Sequence, residues 1–147
     1  MALDALCPET ITPAAFAPYG KVIDWTADLE STDQHFHVLL RSTEPTGWRL
    51  AVLKTTTNST QAIANHPNTW ELFAPLRGMA ILLVAAPGPL HEETIRAFIL
   101  DRPACVAPGV WHGNIVLREP ATILIAENLE VTSESAQLSR PVGPLRA

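Results

Sequence analysis

Val106-Ala-Pro-Gly-Val-Trp-His112-Gly-Asn114 decides how the chain is read. Pro108 fixes φ and Gly109 reaches conformations that a side chain forbids, so the pair predicts a sharp turn. Val110 and Trp111 then restart an apolar segment, and His112 falls early on the strand that follows. A turn that presents an imidazole beside an apolar wall suits a metal ligand, an acid–base group or a substrate contact. A core histidine satisfied by a carbonyl fits the same residues, so the rest of the chain has to decide between them.

Outward from this stretch, short strands and turn signals alternate. Downstream, Ile115 to Leu117 continues the strand, Glu119-Pro120 turns, and Ala121 to Asn128 is a further apolar strand. Upstream, Met79 to Ala86 is almost wholly apolar, and Thr94 to Leu100 alternates between two faces. Earlier still come Tyr19 to Trp25, His35 to Leu40, Trp48 to Thr57 and Trp70 to Ala74, with Ser59 to Ala64 ambiguous between strand and loop. Asp28 to Asp33 and Pro75 to Gly78 read as loop and turn. Residues 1–11 read as a lead-in arm. Thr12-Pro-Ala-Ala-Phe-Ala17 reads as a short helix, with Thr12 as N-cap and Pro13 in the first turn. About nine or ten strands with one or two short helices predict an all-β antiparallel barrel or sandwich. A short helix is expected around Ser133 to Leu138, and a loose tail from about residue 139.

The 147 residues fit one domain over 1–147, which buries about 68–70% of its unfolded surface. Apolar residues make up 47% of the chain, which argues against disorder. A net charge of −5 with no basic run disfavours nucleic acid as a partner. No apolar stretch approaches a membrane span, and Met-Ala-Leu-Asp-Ala-Leu lacks a signal-peptide pattern. Cys7 and Cys105 form no metal-ligand spacing, which points to a reduced, cytoplasmic setting, and Cys105 reads as an inert buried thiol.

Chemistry is offered at two places, His66 with Glu71, and His112. A spacing of five keeps His66 and Glu71 off one face of a regular strand, unless the turn at Pro67 to Thr69 redirects the chain. Glu71 sits between Trp70 and Leu72, and a carboxylate buried there needs a pair, a metal or a proton. Normal alternation pointing Glu71 to solvent is the other reading. His35 and His37 share strand parity and read either as a metal doublet or as the polar face of an edge strand. His91 reads as solvated.

His66-Pro-Asn-Thr-Trp-Glu71-Leu-Phe73-Ala-Pro75-Leu, the strand ending Val84-Ala-Ala-Pro87, Pro108-Gly-Val-Trp-His112 and Ala15-Phe-Ala-Pro-Tyr-Gly-Lys-Val-Ile23 together resemble the ureidoglycolate lyase family of cupins. The resemblance runs from about residue 10 to residue 128. It implies a double-stranded β-helix barrel, usually a homodimer, that cleaves ureidoglycolate to glyoxylate and urea in the breakdown of purines through allantoin. His112, His66 and Glu71 would then be the catalytic group. Lys54, Arg49, Arg77 and Arg96 are candidate cations for a substrate carboxylate, and Trp111 a candidate pocket wall. The chain departs from the family at Trp70-Glu71, where Ser-Gln is usual, at Asn65, and at Gly113, where a second histidine often follows. Metal cupins hold their ion with two histidine segments and a glutamate, and the similar positions are His66, Glu71 and His112. Ala64 stands where the first histidine of that set would be. Three ligands leave open positions on a divalent ion. The alternatives are a noncatalytic small-molecule-binding or sensing cupin, and a metal-dependent isomerase or oxygenase.

Overall fold

A computed structural model describes residues 6–25, 29–31, 35–44 and 46–146. Thirteen strands occur among them: β1 (Pro8–Thr10), β2 (Gly20–Val22), β3 (Glu30–Ser31), β4 (His37–Val38), β5 (Trp48–Thr55), β6 (Thr60–Asn65), β7 (Glu71–Arg77), β8 (Ala80–Ala85), β9 (Arg96–Leu100), β10 (Ala104–Val106), β11 (Trp111–Val116), β12 (Ala121–Asn128) and β13 (Glu134–Val142). One short helix, α1 (Pro13–Phe16), precedes β2, and its Thr12 cap accepts from the Ala15 N–H as its sequence predicts.

Two sheets face each other, ordered β1-β9-β8-β11-β6-β13 and β2-β10-β7-β12-β5, with a separate β3-β4 ribbon. All pairings are antiparallel except β1 on β9. Alternation assigns the faces. Leu82, Val84, Phe98, Leu100 and Val116 from the six-stranded sheet, with Val110 just ahead of β11, meet Phe73, Val106, Ile123 and Ile125 from the other, and Phe16 and Tyr19 close the gap. The opposite parity of the six-stranded sheet builds a second core, where Ile63, Leu83, Ala97, Trp111 and Ile115 pack under Leu138 and Val142. The all-β barrel expectation therefore holds, with a core on each side of one sheet.

Four local expectations change. The C-terminal segment is β13, paired to β6, and neither a helix nor a loose tail from residue 139. Leu138 and Val142 are 2% and 0% exposed. Their spacing of four imitates a helical face, but it is also even, so strand alternation carries both side chains to the same core. Pro75 to Arg77 extends β7 instead of turning; a register irregularity at Thr122/Ile123 accommodates the proline. Residues 30–31 pair with β4 instead of forming plain loop, and the strand around His37 is two residues long.

The N-terminal arm is pinned by one ion pair. Arg96 grips both oxygens of Glu9 at 2.8 and 2.6 Å, and lies over Phe98 at 4.9 Å. The guanidinium hydrogen bonds hold the Glu9 carboxyl below its ordinary value of 4.5. A depressed folded-state value stabilises above the unfolded value and is lost as pH falls through the folded one. The protection factors of the β1 amides, taken relative to their intrinsic exchange rates, should therefore fall as pH drops below about 4.5, and Glu9→Gln should remove that pH dependence. A β1 whose protection ignores both changes would refute the pinning role.

Candidate active site

The turn that begins the organising stretch is built as its residues demand. Val110 N–H closes onto Ala107 O at 3.2 Å, and Gly109 takes the positive φ, +82°, that only glycine adopts without strain. Gly109 N–H also donates to His66 O at 3.1 Å, which ties the two histidine segments together.

His112 shares its face with Val110 and Val116, so it points between the sheets. β6 ends at Asn65 and β7 begins at Glu71, so His66 follows a strand of one sheet and Glu71 opens a strand of the other. The chain crosses between them at 67–70, which removes the spacing objection. The crossing is fixed by Asn68, which donates to Glu130 O (2.9 Å) and accepts from Thr132 N–H (2.8 Å). His66 Nε2 stands 3.5 Å and His112 Nε2 2.8 Å from the same oxygen, Oε2 of Glu71. The rings lie 4.9 Å apart, with Phe73 5.5 Å behind His112. All three groups are shielded, with side-chain exposures of 16%, 8% and 10% for His66, His112 and Glu71.

The tautomers follow from the far side of each ring. His112 Nδ1 faces Val110 O at 2.9 Å and His66 Nδ1 faces Thr132 O at 3.3 Å. A carbonyl only accepts, so Nδ1 carries the proton in each neutral ring and Nε2 is a bare lone pair. Glu71 Oε2 is sealed from solvent and receives no hydrogen bond. Two lone pairs and a carboxylate oxygen therefore converge within 4.8 Å of one another. A proton shared there, or a divalent ion, relieves the repulsion. Imidazoles whose Nδ1–H groups are tied to carbonyls are oriented as metal ligands usually are, so these three residues fit such an ion.

The other predicted site residues are placed as follows. Arg49 lies on the inward face of β5, opposite Glu127 in register, and its guanidinium approaches both oxygens of Glu127 at 3.4 and 3.5 Å while staying half exposed. Lys54 has the other parity and points outward with Val52, not into the barrel. Arg77 ends β7, six residues or about 20 Å from Glu71. Trp111 faces the outer core, and its indole N–H donates to Gly88 O at 2.9 Å, so it cannot share a pocket with His112. Arg96 is in line with His112 through Val84, but Glu9 occupies it. Trp25 packs edge-on against His37, which joins no ligand group among the described residues. Cys105 is buried, and burial pushes its thiol up to about 11, which fits an inert thiol.

Glu127 escaped the sequence reading. Its side chain is 5% exposed, and the pairing of Ala126 with Leu72 carries it beside Glu71. The signal was present: Ile123, Ile125 and Glu127 share one buried parity. A cleft of about 650 Å³ opens at this end, lined by Leu40, Ser42, Pro67, Trp70, Pro108 and Asn128. A larger hollow of about 730 Å³ lies by Gly78, Met79 and Leu117, beyond the far end of β7, and is lined by no histidine.

With this geometry in hand, the comparisons with known proteins fall into line. The family model described as ureidoglycolate lyase matches residues 3–139. The ureidoglycolate lyases of two Burkholderia mallei strains, NCTC 10229 and NCTC 10247, are each 30% identical over 129 residues, covering 78% of this chain and 76% of theirs. Among solved structures, a dTDP sugar isomerase from Desulfovibrio desulfuricans G20 superposes with a TM-score of 0.52 at 17% identity, covering 76% of this chain and 80% of that one. That likeness speaks for the barrel alone.

Proposed function

Because the chain belongs to the ureidoglycolate lyase family, we propose that it cleaves ureidoglycolate to glyoxylate and urea at the His66–Glu71–His112 cluster. The observation that carries the reading is the convergence of two bare Nε2 atoms on an unsatisfied carboxylate oxygen.

The substrate is a hemiaminal bearing a carboxylate. Its hydroxyl O–H bond breaks, that electron pair becomes the new C=O, and the C–N pair leaves with the urea nitrogen, which gains a proton. His66 Nε2, on the more exposed of the two side chains, accepts the hydroxyl proton and returns it to that nitrogen. Glu71 stabilises the imidazolium formed between these transfers. Arg49 supplies the cation for the substrate carboxylate at the rim, and Glu127 holds its guanidinium in place. Phe73, Val84 and Val106 keep water from the inner side of the cluster. Nε2 of His66 and His112 and Oε2 of Glu71 are also the atoms that would hold a divalent ion. When bound, such an ion would supply Lewis-acid polarisation of the substrate oxygens.

The protein is further proposed to act as a homodimer in the cytosol, in purine breakdown. β5 is an edge strand of its sheet, and Trp48, Leu50 and Val52 on its outer face are 70%, 59% and 64% exposed. That is an apolar face a second copy would cover. No disulfide joins Cys7 and Cys105, which supports a reducing compartment. Among the described residues, no helix is long and apolar enough to cross a membrane.

Purified protein mixed with ureidoglycolate should release glyoxylate and urea in equal amounts, and the same preparation should sediment as two chains. Release no faster than the spontaneous rate would reject the substrate. Tight retention of a small acid without turnover would instead mark a binding module.

A further inference from the structure

Two residues beyond His112 on β11 lies a half-buried polar side chain that the chemistry above leaves unused. Asn114 shares the inward face with His112, since Val110 and Val116 of that parity join the inter-sheet core while Trp111 and Ile115 join the outer one. Two residues of strand place it about 6.6 Å further from the mouth. Its register partner is Leu82, which in turn pairs with Phe98, and both are fully buried. Against that apolar wall Asn114 Oδ1 is shut off from solvent and receives no hydrogen bond. A buried acceptor without a donor is costly, and interiors seldom keep one idle. On the other side, β6 presents only Ala64, register partner of His112, and then Ala62. Ala64 is half-buried and Ala62 exposed, so on this side the amide is flanked by methyl groups next to solvent and by no large side chain.

We infer that Asn114 determines specificity by reading the urea end of the substrate, its Oδ1 accepting an N–H of the ureido group. The inference rests on the proposal that the substrate is a ureido carboxylate. The two ends of such a molecule differ in hydrogen-bonding sense: the ureido end donates, while the carboxylate only accepts. An amide oxygen set deep against apolar residues takes the donating end and repels the anionic one. The carboxylate is thereby turned outward, toward Arg49 at the rim. The carbon–nitrogen bond that breaks then lies between, at the level of His112 and Glu71. Asn114 touches the departing group and takes no proton.

Ureidoacetate, the stable analogue without the hydroxyl, and N-acetylglycine, in which methyl replaces the terminal amino group, test this. Calorimetry on the full chain should show ureidoacetate bound at least about tenfold tighter, as sites built around a hydrogen bond discriminate. Asn114→Leu, close in volume and suited to the wall, should fold with an unchanged or higher Tm and bring the ratio to about one. Asn114→Asp keeps an acceptor and should keep the preference. A ratio near one in the wild-type protein, or a ratio untouched by Asn114→Leu, would overturn the inference even with ureidoglycolate turnover intact. Preference intact but no turnover would instead sink the lyase proposal and leave Asn114 as the reader of a ureido ligand.

Discussion

Replacing His112 with alanine should lower kcat/KM for glyoxylate release by on the order of 10²–10⁴-fold, the usual contribution of a positioned acid–base unit, because His112 flanks the Glu71 oxygen on which His66, the proposed proton carrier, relies. The ring is one of three groups around the orphaned Glu71 oxygen, and at 2.8 Å its Nε2 is the nearer of the two nitrogens. Without it, Glu71 Oε2 faces only His66, at 3.5 Å. The imidazolium formed in turnover and a bound ion alike would lose a partner. Structure should survive. The Nδ1 bond to Val110 O spans two residues of one strand, and the β11–β8 ladder from Trp111 to Val116 does not depend on the side chain. The vacated space against Phe73 costs stability, while the loss of two opposed lone pairs offsets part of it. Far-UV circular dichroism and the Tm of the variant check this beside the coupled glyoxylate assay. A folded variant that keeps more than about a tenth of wild-type activity, well short of that range, would remove His112 from the chemistry.

The sequence made the centre of this site legible for a physical reason. Pro108-Gly109 permits few backbone shapes, so the delivery of His112 follows from local sterics, and a carboxylate between Trp70 and Leu72 signals burial without any knowledge of topology. The relation between His66 and Glu71 was hidden, because strand parity says nothing about a chain that leaves one sheet and enters the other at residues 67–70. Parity also shows two faces without naming the inner one. Trp48, Leu50 and Val52 are apolar yet exposed, so Lys54, which shares their parity, gave no sign of pointing outward. Trp111 failed for the converse reason. Its outer face is as dry as the inner one, because Leu6, Ile95, Leu138 and Val142 join it in a second core. No local pattern announces the share of β13 in that core, since the spacing of four between Leu138 and Val142 suits a helix as well as a strand.

Installing a histidine at position 64 should raise the affinity for a divalent ion by on the order of tenfold to a hundredfold, the scale on which single partners tune metal sites. Ala64 is the register partner of His112 across β11 and β6, and such partners carry their Cβ atoms about 4.5–5.5 Å apart. Position 64 also precedes His66 by two residues, at the end of β6. A new imidazole there would point at the same oxygen as the existing two. Its larger ring has room, because Ala64 is only half-buried and its neighbour Ala62 is exposed. The set would become three imidazoles and one carboxylate, which neutralises no charge but adds a donor, so the gain should be largest for ions that favour nitrogen over oxygen. Calorimetric titration of wild-type and Ala64→His protein with zinc and with magnesium distinguishes the cases. Zinc should bind tighter to the variant at one ion per chain, and magnesium should gain little. If neither protein takes up zinc, the converging lone pairs are shared by a proton, and the cluster works as an acid–base pair alone.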